Sequence, residues 1–171
     1  LLYFGNSGLL NPTTLCSILL MDDEGKHLLN GAAPSLPEFY NQAIDGIEIG
    51  EKVCSCGAAA YLKKRVVAED LLTHPNWIPF RDLTQQANLR ACWSEPILDA
   101  ENNVLGTFAV YHRQPQAPKT EEIELLKSVV SLASLAISRK RNEEKIRNIN
   151  TELELKVEER TKQLATTNEN L

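Results

Sequence analysis

Long apolar runs are missing from this chain. None approaches the roughly 20 residues that a membrane-spanning helix requires, so no membrane span is expected within it. An excess of positive charge is missing too: the net charge is −5, which does not favour nucleic acid as a partner. Cysteine is sparse, with only Cys16, Cys54, Cys56 and Cys92 in 171 residues, whereas secreted disulfide scaffolds are shorter and denser in cysteine. Reduced thiols in a cytoplasmic compartment are the expectation. A Cys-x-Cys pair with one distant cysteine and His27, His74 or His112 is not a zinc spacing, and no metal is expected. No Ser-His-Asp set, phosphate-cradling Gly loop or paired-carboxylate motif stands out, so no catalytic residue is nominated from such a motif. Finally, Pro and Gly are absent from Thr120 to the end.

That last absence divides the chain into two regimes. Hydrophobic residues make up 43% and charged residues 24%, an ordinary globular composition, and the length suits one domain plus an extension. The chain opens on Leu1 without Met; residues 1–8 read as linker or cloning residue, and a fragment of a longer protein is expected. In the first regime "TLCSILLMD" (14–22) reads as a strand, "DEG" (23–25) as a turn and "KHLLNGAA" (26–33) as the returning strand of a hairpin. "LPEFYNQAI" (36–44) predicts a short helix with Phe39, Ala43 and Ile44 on one face. "CGAAAYLKK" (56–64) predicts a second helix, "RVVAED" (65–70) a third strand, and 76–89 a loop leading into a short helix. "ACWSEPILD" (91–99) and "NVLGTFAVYHR" (103–113) form another hairpin across "AENN". Five strands with helices inserted predict an α+β domain around an antiparallel sheet.

The second regime predicts one long helix. Thr120 is placed to cap it, with Glu121 and Glu122 at its positive end. Ile123, Leu126, Val130, Ala133 and Ile137 recur at spacings of three and four. After a polar break at 138–145 the pattern resumes one residue out of phase, with Ile146, Asn150, Leu153, Val157, Leu164 and Leu171 at heptad a and d positions and Arg160 and Thr167 as polar exceptions. Glu143/Arg147, Glu152/Lys156 and Glu158/Lys162 stand in the favourable i,i+4 order. A continuous helix would run about 75 Å at 1.5 Å per residue. Such a helix needs a partner, most simply a second copy in a parallel homodimer; a solvated, frayed tail is the plainer alternative.

Three stretches carry a family resemblance: "GAAPSLPEFYNQAIDGIEIGEKVCSCGAAAY", "VVAEDLLTHPNW" and "LRACWSEPILDAENNVLGTFAVYHRQPQAPKTEEIELL". Over residues 9–140 the chain resembles the GAF domains of bacterial multidomain signalling proteins, such as sensor histidine kinases and diguanylate cyclases. The tail "LELKVEERTKQLATTNENL" is similar to the signalling helices that link such sensors to an output domain, so 141–171 is expected to be a coiled-coil linker. The resemblance implies a sheet flanked by helices, with a small-molecule pocket on one face. Its wall would draw on Cys54, Ser55, Cys56, Tyr61, Asp70, Trp77, Phe80, Arg81, Cys92, Trp93 and Ser94. The ligand stays unidentified. There is no Cys-His dipeptide to anchor a bilin, so no covalent bilin is expected, and no Asn-Lys-x-Asp cyclic-nucleotide signature. Where relatives tend to carry Gly before Ser-Cys-Gly, this chain has Cys54.

The thiols leave two readings open. Ser55 is placed to cap a helix starting at Cys56, and a thiol in a first helical turn is open to activation by the dipole, with Cys92 opposite. Alternatively Cys56 and Cys92 are small, buried, mildly apolar residues, and Cys54 is the exposed thiol. Trp77 and Phe80 suit a pocket lid or simply core, and Arg81, Arg90 and His112 could meet an anion. The sequence thus points to a small-molecule or redox sensing module, not itself an enzyme, that transmits through a dimeric helix to an output kinase or cyclase domain. A GAF-type free methionine sulfoxide reductase and a ligand-free dimerisation module are the alternatives.

Overall fold

A computed structural model describes residues 15–169. Among the described residues six strands form one antiparallel sheet in the order β3-β2-β1-β6-β5-β4. They are β1 (Leu15–Met21), β2 (His27–Ala32), β3 (Ile47–Glu48), β4 (Val66–Ala68), β5 (Ala91–Leu98) and β6 (Val104–His112). Both expected hairpins are present. The β1–β2 turn is tied by Asp22, whose carboxylate accepts from the Lys26 backbone N–H at 2.8 Å and meets His27 Nδ1 at 2.8 Å. These bonds, led by the Lys26 amide, hold the Asp22 carboxyl down to about 2. The β5–β6 turn is closed by Asp99 Oδ1, which accepts from the backbone N–H groups of Glu101 and Asn103 at 3.0 and 2.7 Å.

The sixth strand is the one the sequence hides. β3 is two residues long and pairs with His27 and Leu28, too short for an alternation to register. The first helix, α1 (Glu38–Ile44), also turns differently from expectation. Tyr40 and Ile44 are buried, whereas Phe39 and Ala43 lie exposed. The reason is the 36/40/44 spacing: Leu36, Tyr40 and Ile44 share one face and all three reach the core. α2 (Ser55–Leu62) follows, then a 3-10 helix over Pro75–Phe80 that runs into α3 (Arg81–Gln86). α4 is a single helix of 50 residues, Thr120–Glu169, unbroken through 138–145.

Strand alternation divides the core into two layers. On one face lie Ser17 and Leu19 of β1, Ala68 of β4, Cys92 and Ser94 of β5, and Ala109 and Tyr111 of β6, aligned by register. This is the layer that α1, α2 and the 3-10 helix cover. On the other face Trp93, Phe108 and Val110 meet Leu125, Leu126 and Val129 of α4. Within that stretch Ser134 Oγ also donates to the Leu98 carbonyl. Covering both faces explains why β5 and β6 are buried almost end to end, instead of alternating with solvent as a one-sided antiparallel sheet does.

The chain divides into two units, Leu1–Ser134 and Leu135–Leu171. In the first, Leu126 and Ala133 are buried, Ile123 and Val130 are half-buried and Leu132 is exposed. Leu126 and Ala133 therefore belong to the domain's own core rather than to a seam open to a second copy. In the second, Ile137 is half-buried, Asn150 is exposed, and Leu135, Ile146, Ile149, Leu153, Val157 and Leu164 are exposed. At 100° per residue those six apolar side chains fall within a sector about 80° wide, while the exposed Leu155 lies on the opposite side. Leu171 lies outside the described residues.

Gly106 is where the sheet tolerates no side chain. A Cβ there would stand 2.1 Å from the Leu19 carbonyl oxygen on the neighbouring strand. Gly106→Ala is expected to lower stability by about 2–4 kcal/mol through this backbone clash, read as an earlier urea midpoint. An unchanged midpoint would show that β1 and β6 are not packed this closely.

Candidate functional site

The stretch "VCSCGAAA" enters α2 through an unusual backbone. Cys54 occupies the N-cap position at φ 35, ψ −161, territory that glycine occupies freely and other residues at a cost of about 1–3 kcal/mol. The neighbouring segment holds it there. The Cys54 N–H donates to the Asn76 carbonyl at 3.1 Å, and Asn76 Nδ2 donates back to the carbonyls of Glu51 and Cys54 at 3.1 and 3.4 Å. From Ser55 to Ala60 every residue is buried, and small side chains are what permit that approach. A Cβ on Gly57 would lie 2.9 Å from the Val53 Cβ and 3.0 Å from the Glu48 carbonyl oxygen.

Ser55 does not cap the helix. It is the first helical residue, and its hydroxyl oxygen accepts from the Trp77 indole N–H at 2.9 Å. A buried indole needs a partner for that hydrogen, and at 1% exposure Trp77 has no water to turn to. Cys54 is not the exposed thiol either: it is 4% exposed, and Cys56 and Cys92 are buried with it. Phe80 is half-buried, its ring edge-on to Trp77 at 6.0 Å.

Cys54, Cys56, Trp77 and Phe80 line a small cavity with Leu19, Tyr40, Ile44, Ile47 and Tyr111. Its volume is about 10 Å³, room for one water-sized molecule. Tyr40 packs edge-on to Tyr111 at 5.8 Å, and the Tyr111 hydroxyl stands 3.9 Å from Cys56 Sγ and 3.4 Å from Ser17 Oγ. Cys92 and Ser94, on the α2-facing side of β5, complete the polar surroundings of Cys56. The neighbouring thiols of Cys54 and then Cys92 push the Cys56 thiol well down, against its burial. The same contact with Cys56, with burial, raises Cys54, and burial first of all raises Cys92. Cys16, on the far face of the sheet beside Val110, is pushed up to about 11 by burial alone.

Other candidates are placed elsewhere. Tyr61 is 56% exposed. Asp70 pairs with Arg90 at 3.0 Å near the surface, which holds its carboxyl below the usual range, and Arg81 is exposed. Trp93 is buried on the opposite face, where its ring lies 4.5 Å from that of His112. Arg81, Arg90 and His112 thus do not converge on an anion. Among the described residues no group of three or more His, Cys, Asp or Glu is placed to hold a metal ion, and no helix is long and apolar enough to cross a membrane. Sequence reasoning missed Tyr40, Tyr111 and Asn76. The first two come to the cavity only through the strand register and the 36/40/44 helix face, neither of which a single motif announces.

The family model that matches this chain is the GAF domain, over residues 8–138. The chain belongs to the GAF domain family. This GAF domain is 38% identical over 128 residues to the methyl sulfide methyltransferase-associated sensor of Methanosarcina acetivorans, a match covering 75% of this chain. The matched region is 13% of the length of that relative. Among solved structures it is similar to a domain assigned to a two-component sensor histidine kinase protein of Sinorhizobium meliloti 1021, with TM-score 0.63 and 24% identity over 82% of this chain and 88% of the other. It is also similar to the reduced form of fRMsr of Staphylococcus aureus, with TM-score 0.56 and 15% identity over 72% and 70% of the two chains. At these identities the structural likeness speaks for the fold.

Two outcomes test this geometry. Trp77→Phe leaves the Ser55 hydroxyl buried and unpaired, and Ser55→Ala strands the indole N–H, so each is expected to cost about 1–3 kcal/mol. The double variant should cost less than their sum by denaturant titration; strict additivity would remove the bond. Burial, opposed only by the Glu122 carboxylate, lowers the His112 pKa, so the unfolded chain takes the proton first. Stability is then fully present above the ordinary histidine value of about 6.5 and falls as pH drops below it. His74, also lowered by burial, acts in the same direction. His112→Gln should flatten part of the fall in melting temperature between about pH 7 and 5; an unchanged slope would contradict it.

Proposed function

We propose that this GAF domain is the input module of a longer signal-transduction protein, in which a small-molecule or redox event at the thiol-lined cavity is passed to α4 and from there to an output domain. The observation that carries this reading is the double role of β5. Cys92 and Ser94 face α2 and the cavity side, while Trp93 between them packs on the face that α4 covers. A displacement of β5 is therefore felt on both faces, because close-packed interiors transmit strain instead of absorbing it.

The relative named as a sensor and the fold shared with a sensor histidine kinase domain support the same reading. An output domain of kinase or cyclase type and a cytoplasmic setting are part of the proposal. We further propose that two α4 helices pair in parallel along Ile146, Ile149, Leu153, Val157 and Leu164, whose exposure leaves an apolar stripe for a second copy to cover. The exposed ion pairs Lys156–Glu152 and Lys162–Glu158 then serve as local helix support. Nothing in the site favours the reductase alternative: the shared architecture with fRMsr speaks for the fold alone.

Sedimentation of the full chain at micromolar concentration is expected to show a dimer. Ile146→Glu and Leu153→Glu should each weaken it at least about tenfold, since each removes apolar burial from both copies at once. A monomer in the wild type, or a dimer indifferent to both substitutions, would contradict the helical pairing.

A further inference from the structure

Three of the four cysteines meet at one place. Cys54 stands at the start of α2, Cys56 in its first turn and Cys92 on β5, each no more than 4% exposed. Cys54 and Cys92 are both among the polar neighbours of Cys56, and Tyr111 Oη lies 3.9 Å from its Sγ. Cys16 is excluded from the group because its neighbour across the ladder is Val110, on the opposite face of the sheet. The adjoining cavity is walled by aromatic and aliphatic side chains and has room for about one water-sized molecule. A nucleotide, a sugar or a peptide disulfide does not fit such a space, and its apolar wall disfavours a charged reagent. Among thiol oxidants a small neutral molecule comes nearest to both conditions.

We propose that Cys54, Cys56 and Cys92 form a peroxide-responsive thiol switch, in which Cys56 is oxidised and Cys92 closes a disulfide that ties α2 to β5. The oxidant is hydrogen peroxide or a hydroperoxide of similar size. The Cys56 thiolate attacks one peroxide oxygen, the O–O bond breaks, and the departing hydroxide takes up the proton released by the Cys56 thiol to leave as water. Cys56 is then a sulfenic acid. The Cys92 sulfur attacks the Cys56 sulfur, the S–O bond breaks, and the hydroxyl leaves with the Cys92 proton as a second water. Two thiols and one peroxide have become one disulfide and two waters, a two-electron oxidation of sulfur. Cys54 neighbours Cys56 but is a poor partner for the disulfide, because closure between thiols two residues apart at a helix start is strained. Closing Cys56 to Cys92 draws on the strand whose next residue, Trp93, packs against the α4 face. The chemistry stands alone; only its purpose rests on the input-module reading.

The full chain is treated with hydrogen peroxide, denatured in N-ethylmaleimide and mapped by mass spectrometry. A linked Cys56–Cys92 peptide about 2 Da lighter than its two thiol peptides together, the two hydrogens removed, is expected, while glutathione disulfide, too large for the cavity, yields no link. Cys56→Ser abolishes the link, and so does Cys56→Ala, which buries no hydroxyl. Cys92→Ser stops at a sulfenic acid on Cys56 that dimedone captures. Cys16→Ser and Cys54→Ser still close it. Peroxide that leaves Cys56 and Cys92 as free thiols, or that links cysteines of two different copies, overturns the switch. A dimer by sedimentation with no such link would sink the switch and spare the input module; a link formed in a chain that stays monomeric would do the reverse.

Discussion

Strand β5 has no solvent on either side along most of its length, because α2 closes one face of the sheet and α4 the other. A strand in that position cannot shift for one neighbour without shifting for both. Its sequence reads Ala91, Cys92, Trp93, Ser94, so thiol and hydroxyl point toward the cavity layer and the indole toward the helix layer. The rest of the account depends on this alternation. Moved by one residue, Trp93 would press into α2 and Cys92 would face α4, and the thiols would never meet.

The close seating of α2 follows from the same constraint. Ser55 to Ala60 are all buried, and only small side chains let a helix lie so flat on a sheet. The tension this creates is visible at Cys54, whose positive φ is held in place by hydrogen bonds from the Asn76 segment. Trp77 then locks the arrangement by donating to Ser55. The segment "HPNW" is therefore less a lid resting on the cavity than a clamp on the turn that positions Cys54 and Cys56. Burial keeps these thiols from water, and the neighbouring thiols of Cys54 and Cys92 lower the Cys56 thiol against that burial.

Much of this was legible in the sequence, and the gaps have physical causes. Both hairpins, α2 and the long helix could be read from turn residues and periodicity, and the resemblance to GAF domains could be read from whole segments. The two-residue β3 could not, since it carries no pattern. Tyr40 was overlooked because Phe39 beside it is equally apolar, and only packing decides which ring turns inward. In the long helix Leu126 and Ala133 keep a helical spacing, but periodicity alone does not tell a face that packs on its own sheet from one that waits for a partner. Cys54 is buried instead of exposed because of the clamp from Asn76, 22 residues away, which is invisible in a linear reading.

The central claim is that the thiol layer and the α4 layer are joined through β5. Hydrogen exchange of the full chain, compared between the reduced and the peroxide-treated protein, tests it most directly. The account predicts that amide protection changes in β5 and also in residues 120–134 of α4, and that Cys92→Ser erases the second change. A difference confined to α2 and the segment around Trp77, with α4 unaltered, would contradict it.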